Sequence, residues 1–176
     1  SQQSALVGST ITTTWGWRGK WYKNNNAATI TVEADANGLF DEPVVEMIPL
    51  YEAVDADGNS LSGDEGFQTF AEALDAVTDG GAIIALDNNT LKGITLSKKA
   101  SYTIYGSFED AGTIAIEGSV TINAGDVTFE NLNCDGNISI NNDARLTVNG
   151  GTYTNSIGNM IQIQDGDLTI DGDASF

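Results

Sequence analysis

The 176-residue chain has no histidine, one cysteine, two prolines and only seven lysines and arginines. Each shortage removes a class of function. Without histidine, no imidazole can activate a nucleophile or share acid–base work with a carboxylate. A single cysteine, Cys134, makes no internal disulfide and reads as a small buried residue rather than a reactive thiol. Seven cations against 25 Asp and Glu leave a formal charge of −18. That balance argues against nucleic acid and anionic membranes as partners, since both need a basic face. The longest purely apolar run, Ala82 to Leu86, is far too short to insert in a bilayer.

What is present is a repeat. Residues 94 to 176 contain the copies ITL…SYTIYGSF, IAI…VTINAGDVTF, ISI…LTVNGGTY and IQI…LTIDGDASF. Their first strands start at Ile94, Ile114, Ile138 and Ile161, and the aromatics that close them are Phe108, Phe129, Tyr153 and Phe176. Both series step by a little over twenty residues. Short alternating strands at such a period are the signature of a coiled β-solenoid. Each strand puts one face inward and one in water, and only stacking the next coil, about 4.8 Å away, buries the inward isoleucines. Glycines beside Asn or Asp supply the tight corners. With no long helical run between the strands, the rival architecture is a β-sandwich.

Ahead of the repeat, GFQTFAEALDAVT gives the convincing helix, expected over residues 67–78. Phe67, Phe70, Leu74 and Val77 share one stripe, the alanines favour helix, and Asp79-Gly80-Gly81 ends it. AIIAL then reads as a buried strand. A short amphipathic helix at this point covers the first coil's apolar interior.

This entry, Gly66-Phe-Gln-Thr-Phe-Ala-Glu-Ala-Leu-Asp-Ala-Val77 followed by Gly80-Gly-Ala-Ile-Ile-Ala-Leu86, resembles the opening of right-handed parallel β-helices of the pectin-lyase-like superfamily. The resemblance covers residues 66 to about 176. The superfamily includes pectate lyases, polygalacturonases, phage tailspikes and bacterial surface repeat proteins, and the loose Thr-Ile/Val repeats are most similar to the last group. It implies an all-β fold: a right-handed parallel β-helix with a short N-terminal capping helix and an N-terminal β-hairpin segment. Two regions are expected. Residues 1–65 form a strand and aromatic segment with an acidic connector, and residues 66–176 form the β-helix.

The N-terminal segment places strands near Leu6–Thr14 and Ala28–Glu33, with an aromatic and basic cluster between them. Trp15, Trp17, Arg18, Trp21 and Tyr22 read first as a plug packed on the solenoid, with a stacking platform for sugar rings or a protein contact as the alternatives. In the connector, Asp55, Asp57 and Asn59 around Gly58 faintly resemble a calcium loop, but the glycine and Glu65 are misplaced and a solvated turn is expected.

A polygalacturonase-like or lyase-like site needs clustered carboxylates with cations beside them. Asp135, Asp143, Asp165, Asp167, Asp171 and Asp173 supply acids, yet Lys98, Lys99 and Arg145 are the only cations from residue 94 onward. The aspartates are therefore expected as turn residues, and catalysis is not expected. No cofactor is required. Calcium, which takes oxygen ligands, is the one metal to consider, at Asp165, Asp167, Asp171 and Asp173.

The fourth copy closes on Phe176 with no polar cap after it. Its edge would expose unpaired backbone groups. Either the chain is a piece of a longer solenoid, or another molecule covers the edge, the Thr-rich N-terminal segment adding a strand in trans being one route. The expectation is a non-enzymatic extracellular or cell-surface β-solenoid, structural, adhesive or self-assembling into a filament. The alternatives are a carbohydrate-binding or carbohydrate-degrading β-helix using Trp15, Trp17 and Trp21, and a phage fibre piece, since a virion setting fits the same composition. Expected partners are the chain itself or a surface glycan or protein.

Overall fold

A computed structural model gives the fold and describes residues 10–14, 27–31, 46–155, 158 and 160–176. The chain divides into two compact units, Ser1–Ile48 and Pro49–Phe176.

The first unit holds a three-stranded antiparallel sheet in the order β1-β2-β3: β1 is Thr10–Thr14, β2 is Ala27–Thr31 and β3 is Glu46–Met47. β1 and β2 form the expected hairpin, with Thr10 opposite Thr31 and Thr14 opposite Ala27. Their Thr and Ile content suits a pleated strand. β1 lies at one edge of the sheet.

The second unit is a parallel β-solenoid. Its entry is β4 (Tyr51–Val54), α1 (Phe70–Ala76) and β5 (Gly81–Ala85). The first coil is β6 (Asn89–Leu91), β7 (Ile94–Leu96) and β8 (Ser101–Tyr105); the second is β9 (Ile114–Glu117), β10 (Val120–Ile122) and β11 (Asp126–Glu130). The third is β12 (Asn133–Asp135), β13 (Ile138–Ile140) and β14 (Ala144–Asn149); the fourth is β15 (Tyr153–Thr154), β16 (Ile161–Ile163) and β17 (Gly166–Asp171). Three sheets wrap the axis, ordered β15-β12-β9-β6, β16-β13-β10-β7 and β17-β14-β11-β8-β5-β4.

Stacking in register builds the core as columns. Ile83, Ile104, Phe129 and Val148 form one, fully buried and continued by Ile170. Leu96, Ile122 and Ile140 form another, continued by Ile163. Leu91, Ile116, Cys134 and Tyr153 line the third sheet. Outside the six-stranded sheet, Thr103, Thr128, Thr147 and Thr169 form a matching row.

Three sequence expectations need correction. Each coil has three strands rather than two, and Ile114-Ala-Ile116 does not align with the other Ile-x-Ile runs. Val120-Thr-Ile122 takes that place, between β7 and β13, while Ile114 pairs with Asn89 in a different sheet. The closing aromatics likewise split: Phe129 belongs to the six-stranded sheet, whereas Tyr153 belongs to β15. The cause is unequal corners. Residues 106–113 separate β8 from β9, but only Asn131 and Leu132 separate β11 from β12. A constant repeat period hides this slip.

The helix is also shorter than residues 67–78. Thr69 caps it, its hydroxyl accepting from the Glu72 N–H at 3.1 Å while the Glu72 carboxylate accepts from the Gln68 N–H at 3.2 Å. The Thr69 cap, with Glu72 reaching back to the residue before it, fixes the start. Phe67 is left outside, exchanging backbone hydrogen bonds with Tyr51.

Finally, part of the expected acidic connector belongs to the solenoid unit. β4 pairs antiparallel with β5, Tyr51 opposite Ala85 and Val54 opposite Ala82. It completes the edge of the six-stranded sheet, and Phe70 of α1 packs edge-on against Tyr51 with ring centroids 5.8 Å apart. The entry end of the core is thus closed by a strand and a helix together.

Candidate functional site: the open rung

The fourth coil differs from the three beneath it. β15, β16 and β17 each stand last in their sheets, so each has one edge without a described partner strand. Their core-facing positions continue the buried columns but are only half covered. Ile140 is fully buried, whereas Ile163 above it is 49% exposed. Val148 is fully buried, whereas Ile170 above it is 54% exposed. Phe176, 48% exposed, stacks on the buried Tyr153 ring, with centroids 5.1 Å apart and planes 20° from parallel. Apolar side chains and strand edges without a described partner strand therefore share one end of the solenoid, although at β15 Ser175 fills part of that edge, accepting from the Tyr153 N–H at 2.8 Å and donating to the Gly151 carbonyl at 2.9 Å.

The fourth coil is acidic around β17. Asp165, Asp167, Asp171 and Asp173 are all exposed and all lie on or beside β17. Arg145, one coil below and in register with Asp167, places its Nε 3.4 Å from the Asp167 carboxylate. Asp171 accepts from the Gly172 N–H at 2.8 Å. These four were the calcium candidates. Among the described residues, no group of three or more His, Cys, Asp or Glu side chains is placed to hold a metal ion.

Along the coils, polar side chains mostly pair with one another. Asn149 donates to both carboxylate oxygens of Glu130 at 2.9 and 3.0 Å, Asn141 donates to Asn123 at 3.1 Å, and Ser119 donates to Asn137 at 2.7 Å. Lys92 pairs with Glu117. Asn142 and Asp143 take the left-handed backbone that a corner needs, with φ of 56° and 60°. Asp135 ends β12.

Asp55 accepts hydrogen bonds from the Asp57 N–H, the Asn59 N–H and the Asn59 side-chain amide. The Asn59 side chain above all, and then these backbone groups, hold its carboxyl below the usual range. It is a turn-forming residue. A shallow groove between α1 and β7 is lined by Leu74, Asp75, Thr95 and Lys98, but Lys98 Nζ donates to the Leu74 and Asp75 carbonyls at 2.9 and 2.6 Å and closes the helix end. Cys134 is buried, and burial pushes its thiol up to about 12.

Trp15, Trp17, Arg18, Trp21 and Tyr22 lie outside the described residues. The sequence flagged an open edge at the fourth coil. It did not flag Ile163 and Ile170 as exposed, because their local patterns match those of Ile140 and Val148. It also missed β4 as a capping strand, since Tyr-Glu-Ala-Val carries only two inward positions. The chain matches no protein-family model, no curated protein and no solved structure.

Proposed function

We propose that the chain is a non-enzymatic extracellular β-solenoid, a structural subunit of a surface or filament that assembles through its open rung. The observation that carries this reading is the exposure of Ile163 and Ile170 on strand edges without a described partner strand, directly above fully buried equivalents. Edges of this kind are templates for adding another strand. The pairing of Asn, Glu, Ser and Arg side chains between successive coils supports a structural role for these residues. Kinship with pectin-lyase-like β-helices is part of the proposal; it rests on the capped helix Phe70–Ala76 leading into the buried strand Gly81–Ala85.

Light scattering behind a sizing column, over a range of concentrations, tests the assembly. The parent chain is expected to grow with concentration, and Ile163→Lys with Ile170→Lys to remain monomeric. A parent chain that stays monomeric throughout overturns the reading.

A further inference from the structure

We infer that the open rung of one copy is covered by the open rung of a second, β17 pairing antiparallel with its own counterpart about a two-fold axis at Thr169; this rests on the assembly reading above.

The six-stranded sheet is closed at its other end. β4 lies on β5, and the outer edge of β4 is itself taken. Tyr51 and Phe67 exchange backbone hydrogen bonds at 3.0 and 2.6 Å, and the Leu61 N–H donates to the Ala53 carbonyl at 2.8 Å. A rung therefore finds no free strand edge at the entry end of this sheet in a second copy, and head-to-tail stacking through the sheet is blocked. What a second copy does offer in the same sheet is β17. The seating of β4 on β5 also shows that this parallel sheet accepts an antiparallel strand at an edge.

β17 is complementary to itself in one register. The Asp171 carbonyl accepts from the Gly150 N–H, and the Asp165 carbonyl, just before the strand, accepts from the Asp143 N–H, both toward β14. Alternation along the strand turns the N–H and C=O groups of Leu168 and Ile170 the other way, to the edge that has no partner strand among the described residues. Two antiparallel copies of that edge exchange hydrogen bonds when Leu168 of each copy stands opposite Ile170 of the other. The same register sets these two core-facing side chains, which continue the Leu146 and Val148 positions, against each other across the join. A slip of one residue would turn one copy's core face to water. Thr169 then meets its own counterpart on the outer side as a non-hydrogen-bonded pair, with Cα atoms about 4.5 Å apart.

That register has one electrostatic cost. Asp167 of each copy stands opposite Asp171 of the other, like charges directly across a strand pair. Arg145, beside Asp167, offsets part of it. A two-fold pair is closed, so the rung contact joins two copies, and a longer filament needs a second contact.

Two measurements on the full chain test the pairing. Thr169 is exposed, so Thr169→Cys, oxidised with copper–phenanthroline in air, is expected to give a covalent dimer on a non-reducing gel. Thr147→Cys, one coil below in each copy and about 14 Å from its counterpart, is expected to give none. The parent, whose Cys134 is buried, is expected to give none either. In the second measurement, Asp171→Lys creates two opposite-charge pairs with Asp167 and is expected to assemble at about tenfold lower concentration. Asp110→Lys, the same charge change on the exposed corner between β8 and β9, is expected to move the midpoint much less. Suppose the parent assembles and Ile163→Lys with Ile170→Lys blocks it, but Thr169→Cys gives no more covalent dimer than Thr147→Cys. The occupant is then something else, the β1 edge of a second copy for instance, while the open-rung reading stands. Asp171→Lys assembling no better than Asp110→Lys equally overturns the register. A parent that never assembles removes the underlying reading, and this inference with it.

Discussion

At the scale of single residues, the coil interior is strict about both volume and charge. Cys134 occupies a column position between Ile116 and Tyr153, 3% exposed. Burial alone raises its thiol to about 12, and it raises the Tyr51 hydroxyl to about 12 as well. In the unfolded chain the thiol titrates near about 8.5. Below that pH both states are protonated and the full stability is present. As pH rises toward 12 the unfolded state releases a proton that the folded state keeps, and stability falls. The urea midpoint is therefore expected to drop between pH 8 and pH 11, and to drop less in Cys134→Val; an equal drop would assign the titration to the tyrosines alone. Below pH 9, a thiol reagent should label Cys134 only at the rate of unfolding. Corners are equally strict. Gly125 sits at φ 84°, and a Cβ there would lie 2.5 Å from the Lys98 carbonyl oxygen and 2.6 Å from that of Ala100. Gly125→Ala is expected to cost about 1–3 kcal/mol, read as a shift in the urea midpoint. No measurable shift would mean that the corner relaxes freely.

At the scale of elements, local chemistry sets where each piece starts, and tertiary pairing sets what it becomes. Thr69 and Glu72 cap α1, so Thr69→Ala should lower stability by about 1 kcal/mol and loosen the entry end of the core, detectable as faster amide exchange in residues 70–77. Unchanged exchange there would mean that Phe70 and Ala73, packed against the core, hold the helix without its cap. The capping pattern Thr-x-x-Glu was legible in the sequence, yet the stripe from Phe67 to Val77 suggested a longer helix. Phe67 is apolar at helical spacing, but its backbone is taken by Tyr51, a partner sixteen positions away that no local pattern announces. The solenoid was legible for a robust reason, since every coil must repeat the same inward alternation. The alignment of its second coil was not, because the corner over residues 106–113 is long while that at Asn131-Leu132 is short. β12 contributes the single buried Cys134 flanked by exposed residues, too little pattern to read as a strand. The open rung was legible as an edge. Its apolar exposure became visible only once Ile163 and Ile170 were set above Ile140 and Val148.

At the scale of the molecule, the question is how a chain of −18 can bring copies of itself together. Repulsion between whole molecules opposes it, is long-ranged and dominates when the screening length is about 30 Å, at 0.01 M salt. Screening falls to about 10 Å at about 0.1 M and to about 3 Å at 1 M. The apolar contact through Ile163 and Ile170, each about half exposed on the fourth coil, is not weakened by salt. Assembly at a fixed protein concentration is therefore expected to rise from 0.01 M to about 0.1 M sodium chloride and then to hold toward 1 M. Scattered intensity across a salt series at pH 7 measures it. A curve that falls again toward 1 M would mean that ion pairs, rather than the two isoleucines, join the copies.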